Sequence, residues 1–172
     1  MKKTLLLLLF LSASFLTAQA QESTTYYLIR HAEKSKDNPS DSNPKLNKTG
    51  ENRAENWAAF FKEIPLDRVF STNYHRTLQT AKPIAESKSI EIQSYNPRKL
   101  YSTVFQKKTQ GKSVLIVGHS NTTPAFVNAI LQKQRYGTIP ENTNDHLYIV
   151  TVNGENIQGV LLKIPASLPV KL

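Results

Sequence analysis

Short apolar runs alternate with amphipathic stretches along this chain. The runs lie near 25–30, 66–71, 90–95, 113–118, 145–152 and 157–163. They are rich in β-branched and aromatic residues and bounded by polar turn residues, the pattern of buried strands. Between them, apolar residues recur at spacings of three and four. In 50–64 they are Ala54, Trp57, Ala58, Phe61 and Ile64, which predicts an amphipathic helix ending at Pro65. In 74–87, Leu78, Ala81, Ile84 and Ala85 make a second such face. Pro83 interrupts it, and an interior proline removes a hydrogen bond and kinks a helix. From 124 onward, Phe126, Val127, Ile130 and Leu131 line a third helix, with Thr123 as its expected N-cap and Pro124 at its first position. A fourth, short helix is expected to close over 106–111.

Strands that alternate with helices imply an α/β fold: a three-layer αβα sandwich around a mainly parallel sheet. The last two strand segments have only Asn153-Gly154 between them, a hairpin signal, so that edge is expected to be antiparallel. The segment 34–47 is polar, holds two prolines and reads as a surface loop. In open α/β sheets, ligand chemistry gathers at the carboxyl ends of strands. One run ends in Arg30-His31 and another in Gly118-His119-Ser120. The pattern therefore places two imidazoles on one crevice, with Arg30 beside the first, an arrangement suited to a nucleophilic histidine acting on an anionic group.

The first twenty residues read as a secretory signal peptide. Lys2 and Lys3 form its positive end, an apolar stretch follows, and Ala18-Gln19-Ala20 is a small-residue cleavage site. The apolar stretch is shorter than the roughly 18–20 residues that a spanning helix needs. Residues 1–20 are thus expected to be removed, leaving 21–172 as a single exported domain, periplasmic or secreted, with no membrane insertion. The formal net charge is +9, which favours anionic partners such as phosphorylated metabolites. The cationic residues are scattered, and no aromatic-basic interleaving accompanies them, so nucleic acid is not an expected partner. The chain has no cysteine, which excludes disulfides, thiol catalysis and thiolate metal sites. His75 and His146 have no companions at ligand spacing, so neither a metal nor another cofactor is expected.

Four segments act together. Arg30-His31-Ala32-Glu33 follows the first strand. Leu46-Asn47-Lys48-Thr49-Gly50, with Arg53-Ala54, opens the first helix. Ser71-Thr72-Asn73-Tyr74-His75-Arg76-Thr77 follows the second strand, and Gly118-His119-Ser120-Asn121 follows the fourth. In order and context they resemble the histidine phosphatase superfamily, which includes phosphoglycerate mutases and histidine acid phosphatases. The chain is similar to a small member without an inserted cap, with Arg30-His31-Ala32 where the family usually has Arg-His-Gly.

The resemblance implies a catalytic set of His31, Arg30, Arg76 and His119. His31 would take the phosphoryl group on nitrogen, splitting one hard displacement into two easier ones. Arg30 and Arg76 would clamp the phosphoryl oxygens with guanidinium forks. His119 would donate to the same oxygens, and Ser120 and Asn121 would support the pocket at the start of the third amphipathic helix. The substrate implied is a small phosphorylated molecule, hydrolysed through a phosphohistidine. A mutase-like phosphoryl transferase and a catalytically idle anion-binding module are the alternatives. An ester also needs an acid to protonate its leaving alkoxide. The acidic residue of histidine acid phosphatases is replaced by Ser120, and the region 95–100 has no carboxylate. Glu33 is the nearest candidate proton donor in sequence, with Asp145 a weaker one. Without an acid, leaving groups that need little protonation would be favoured, among them a second phosphate, an acyl phosphate or a histidine nitrogen.

Overall fold

The computed structural model describes residues 22–165, so the expected signal peptide lies outside the described residues. The strands are β1 (Thr24–Arg30), β2 (Arg68–Ser71), β3 (Ile92–Ser94), β4 (Ser113–Gly118), β5 (His146–Asn153) and β6 (Asn156–Lys163). The helices are α1 (Lys48–Phe61), α2 (His75–Ser87), α3 (Thr103–Thr109) and α4 (Thr122–Leu131). The sheet order is β3-β2-β4-β1-β5-β6. The first four of these are parallel, whereas β5 runs antiparallel to β1, and β6 to β5. This is the expected mainly parallel sheet with an antiparallel edge.

Burial on both faces explains why the central strands are continuous apolar runs. Side chains alternate across the sheet. Tyr26 and Leu28 of β1 and Val114 and Ile116 of β4 pack with Phe105 of α3 and with Phe126, Val127 and Ile130 of α4. Ile29, Leu115 and Val117 point the other way, onto Trp57 and Phe61 of α1 and Ala81 and Ile84 of α2. Two cores, one per face, thus clamp the central strands, and their carboxyl ends at Arg30, Ser71 and Gly118 stand side by side.

Several local expectations shift. The turn of the β5–β6 hairpin is Gly154-Glu155, since Asn153 pairs with Asn156; Gly154 takes the positive φ, 60°, that this tight turn requires. Helix α3 begins three residues earlier than expected, capped by the Ser102 hydroxyl. Helix α4 begins at Thr122, not Pro124, and its N-cap is Asn121 rather than Thr123. The cause is local: Thr123 N–H already bonds to the His119 carbonyl, which closes a helical turn before the proline. Pro124 then sits third in the helix, where its missing N–H is still among the unpaired ones of the first turn. Pro83 remains inside α2.

Candidate active site

His31 leaves the end of β1 buried, and its backbone continues the sheet through a bond from its N–H to the Gly118 carbonyl. Its Nδ1 donates to the Ala32 carbonyl at 2.7 Å. That bond fixes the tautomer and leaves Nε2 as the lone pair. The Asn144 amide donates to the His31 carbonyl at 2.8 Å, and Ala32 N–H donates to Thr80 Oγ1 at 2.9 Å. The imidazole is therefore held through its own backbone on both sides. Burial, then the charges of Arg30 and Arg76, push its pKa down to about 3, so the ring is neutral.

His119 faces it, with ring centroids 5.5 Å apart and planes inclined at 68°. Burial and the same two arginines push His119 down to about 4. Its Nε2 lies 2.9 Å from Thr72 Oγ1, which in turn contacts Thr77 Oγ1 at 3.0 Å. Tyr74 stands edge-on to His119 at 5.0 Å and carries the Arg76 guanidinium over its ring at 4.6 Å. Arg76 is aimed from the first turn of α2, whose backbone is tied to β1 by Thr80: its hydroxyl donates to the Arg76 carbonyl and accepts from Ala32 N–H.

Arg30 plays two parts. Its Nη1 donates to the carbonyls of Pro140, Glu141 and Thr143 at 2.8, 2.8 and 3.0 Å, binding the segment before β5 to the end of β1. Its Nε is buried with no protein acceptor among the described residues, as are Nε and Nη1 of Arg76. Two guanidinium groups with buried unpaired donors, beside two neutral imidazoles, make a hole that fits an anion. It opens into a cavity of about 470 Å3 lined in part by Arg30, His31, Arg76, His119, Ser120 and Asn121. All four residues of the expected catalytic set and both support residues thus come together.

The start of α4 offers its dipole rather than free donors. Thr122 N–H bonds to the Asn121 side chain, Thr123 N–H to the His119 carbonyl, and Pro124 has none. Asn121 also begins as a local cap and only borders the cavity.

Glu33 lines a cavity with Arg30 and His31, and its carboxyl is paired with Arg53. Both its oxygens accept from Arg53 Nε at 2.9 Å, and Oε1 accepts from Arg53 Nη2 at 2.7 Å. Burial raises its pKa, but the Arg53 hydrogen bonds outweigh that and hold the carboxyl below its ordinary value. Its sequence neighbours Lys34 and Lys36 are not its partners. Asp145 lies in a separate cavity, beside His146 at 3.8 Å. His75 is exposed, and its N–H bonds to Asn43 of the 34–47 loop. Among the described residues, no group of three or more His, Asp or Glu side chains is placed to hold a metal, and no helix is long and apolar enough to cross a membrane.

Sequence reasoning missed Thr72 as the partner of His119, Tyr74 as the shelf under Arg76, and Asn144 and Glu141 on the third wall. The first two lie inside the segment already singled out after β2, where a residue two before a candidate arginine was a usable signal. The last two lie in a polar stretch without periodicity.

The residues 26–96 match the model of the histidine phosphatase superfamily, branch 1. Solved structures agree on the fold. A SixA protein from Agrobacterium tumefaciens, assigned as a phosphohistidine phosphatase, shares 20% identity at a TM-score of 0.55, covering 78% of this chain and 97% of its own. A phosphoglycerate mutase from Bacillus anthracis shares 12% at a TM-score of 0.63, covering 83% and 94%. A mycobacterial glucosyl-3-phosphoglycerate phosphatase shares 12% at 0.60, covering 84% and 100%. No curated protein matches the sequence. With its two histidines and two arginines gathered at strand ends, and with residues 26–96 matching the family model, the chain is similar to the histidine phosphatase superfamily.

Proposed function

We propose that this protein is an exported phosphatase that hydrolyses small phosphate monoesters or related phosphoryl compounds through a phosphohistidine on His31. The observation that carries the reading is the state of His31: buried, neutral, held by its Nδ1 bond to Ala32 so that Nε2 keeps the lone pair, and lining the same cavity as Arg30 and Arg76. A neutral imidazole with one nitrogen already committed is a nucleophile needing no prior deprotonation. Arg30, Arg76 and His119 surround the position where phosphoryl charge spreads during transfer, which is where fixed donors lower a barrier. SixA, to which the chain is similar in fold, is a histidine phosphatase whose structure is also known with tungstate. Export rests on the sequence of residues 1–20 alone.

One observation favours a second reading, a phosphate-binding module without turnover: the carboxylate nearest His31 in sequence is committed to Arg53. The two readings separate in one experiment. The protein lacking residues 1–20 is mixed with a labelled aryl phosphate, quenched without acid, and examined by mass spectrometry. Phosphate found on His31 and lost with time supports the phosphatase. Phosphate bound by the native protein with no adduct, across a panel of phosphate compounds, would establish the binding module instead.

A further inference from the structure

The Glu33 carboxyl is paired with Arg53, and a second carboxyl, without such a partner, lines the cavity. Glu141 borders the space that holds His31, Arg76 and His119, and it is the only acidic residue on that wall among the described residues. It also borders an adjoining bay of about 350 Å3, lined further by Lys36, Asn47, Asn142 and the Arg53-paired Glu33. Arg30, His31, Lys34 and Glu141 are common to both spaces. The two polar spaces meet at the arginine and the nucleophile, so a substrate whose phosphoryl group sits on the arginines has Glu141 on the wall around it. Glu141 stands on the boundary.

Its position is fixed although its side chain is exposed. The carbonyls of Pro140, Glu141 and Thr143 are all held by Arg30 Nη1, and Asn144 is bonded to the His31 carbonyl. The backbone that carries Glu141 is therefore tied to the arginine and the nucleophile themselves. Unlike Glu33, its carboxyl is engaged by no hydrogen bond or ion pair with the described residues.

We propose that Glu141 is the proton donor to the leaving group, and that the substrate class is accordingly the phosphate monoesters of polar alcohols rather than only compounds whose leaving groups need no acid. The proposal rests on the phosphatase reading above. In the first step His31 Nε2 bonds to phosphorus as the ester P–O bond breaks, and the proton of the Glu141 carboxyl passes to the alkoxide, releasing the alcohol. In the second, water attacks phosphorus and gives its proton to the Glu141 carboxylate as the N–P bond breaks. Phosphate leaves, and both the neutral imidazole and the carboxylic acid are restored.

The test is the rate of phosphoryl transfer to His31 in single turnovers of the wild type and Glu141→Gln, with glycerol phosphate and p-nitrophenyl phosphate. An alkoxide needs a proton to depart, whereas nitrophenolate does not. The proposal expects Glu141→Gln to slow transfer from glycerol phosphate by about 10²-fold or more, with transfer from the nitrophenyl ester changed less than about threefold. Equal slowing of both esters, or slowing of neither, would overturn it, since a residue acting on packing or binding does not read the leaving group. If the wild type forms no adduct on His31 from either ester, the phosphatase reading and this proposal fall together. If the adduct forms but the selective loss is missing, the proposal falls alone.

Discussion

His31 Nδ1 and the Ala32 carbonyl lie 2.7 Å apart, a bond between neighbours in the chain that decides which nitrogen can react. Because the partner is a carbonyl, Nδ1 must carry the hydrogen, and Nε2 keeps its lone pair at any pH above about 3. Replacing His31 by alanine removes the nucleophile and leaves the guanidinium groups. The expected result is a fall in kcat of roughly three orders of magnitude or more, while inorganic phosphate still binds within about tenfold, one to two kcal/mol in energy. Steady-state assays with an aryl phosphate, together with calorimetry of phosphate binding, measure both. Retained turnover in His31→Ala would remove the covalent mechanism.

Arg30 and Arg76 resemble each other in sequence context but should not behave alike. Arg30 Nη1 satisfies three backbone carbonyls, so Arg30→Ala strips partners from the 140–143 segment as well as from the anion. A cost of about 3 kcal/mol in unfolding free energy is expected, since bonds from charged donors are worth roughly 1.5–3 kcal/mol each and unpaired carbonyls add to the loss. Arg76 makes its main contact by lying over Tyr74, and its Nε and Nη1 bond to no described protein acceptor. Arg76→Ala should therefore leave the urea midpoint nearly unchanged while lowering kcat/KM by about 10²–10³-fold, the usual loss for one fixed donor to transition-state charge. A large drop in the urea midpoint of Arg76→Ala would show that its role is structural.

The contrast between these arginines marks what the sequence can and cannot convey. The apolar runs of β1 and β4 were readable because helices cover both faces of the sheet, so that Leu28 and Ile29, or Leu115 and Ile116, are all buried. Arg30, His31, Arg76 and His119 were readable because each stands at or just after the end of a strand, or in the first turn of a helix, that periodicity locates. Glu141 and Asn144 carry no such mark. They reach the site through three-dimensional contacts with residues more than a hundred positions away, and a polar stretch before β5 reads only as a loop. The α4 cap was misplaced for another reason: Asn121, Thr122 and Thr123 are all good caps, and the choice is made by which N–H reaches the His119 carbonyl.

Glu33 and Arg53 form a fork pair that joins the nucleophile's strand end to α1, with Glu33 and Arg53 side chains only 23% and 11% exposed. The first turn of the same helix lies against the Glu33 backbone so closely that a Cβ on Gly50 would come 2.1 Å from the Glu33 carbonyl oxygen. Gly50→Ala must therefore push α1 from that loop, and overpacking of this kind costs about 1–3 kcal/mol. Glu33→Gln should cost about 2 kcal/mol by leaving Arg53 without its charged partner. Its slowing of phosphoryl transfer, if any, should be the same for alkyl and aryl esters. Unfolding curves give the first two values. A selective loss with the alkyl ester in Glu33→Gln would return the proton-donor role to Glu33.

Stability should fall as the solution is acidified through a defined window, because the site keeps its histidines neutral. Burial and the two arginines lower His31 from 6.5 to about 3 and His119 from 6.5 to about 4. Below about pH 6.5 the unfolded chain takes up a proton at each ring, while the folded protein does not until about pH 4 and then about pH 3. The unfolded state thus binds more protons across that window, and unfolding becomes easier as pH drops, by about 1.4 kcal/mol per pH unit for each histidine. His146, lowered mainly by burial, acts in the same direction. The depressed Glu33 adds its own loss at lower pH, when the carboxylate bound to Arg53 is protonated. Urea titrations at pH 7, 6 and 5 should show the decline, and His119→Ala should reduce its slope by about one histidine's share. A stability that is flat or rises between pH 7 and 5 would mean that the folded protein accepts protons at this site, and that neither ring is held neutral beside the arginines.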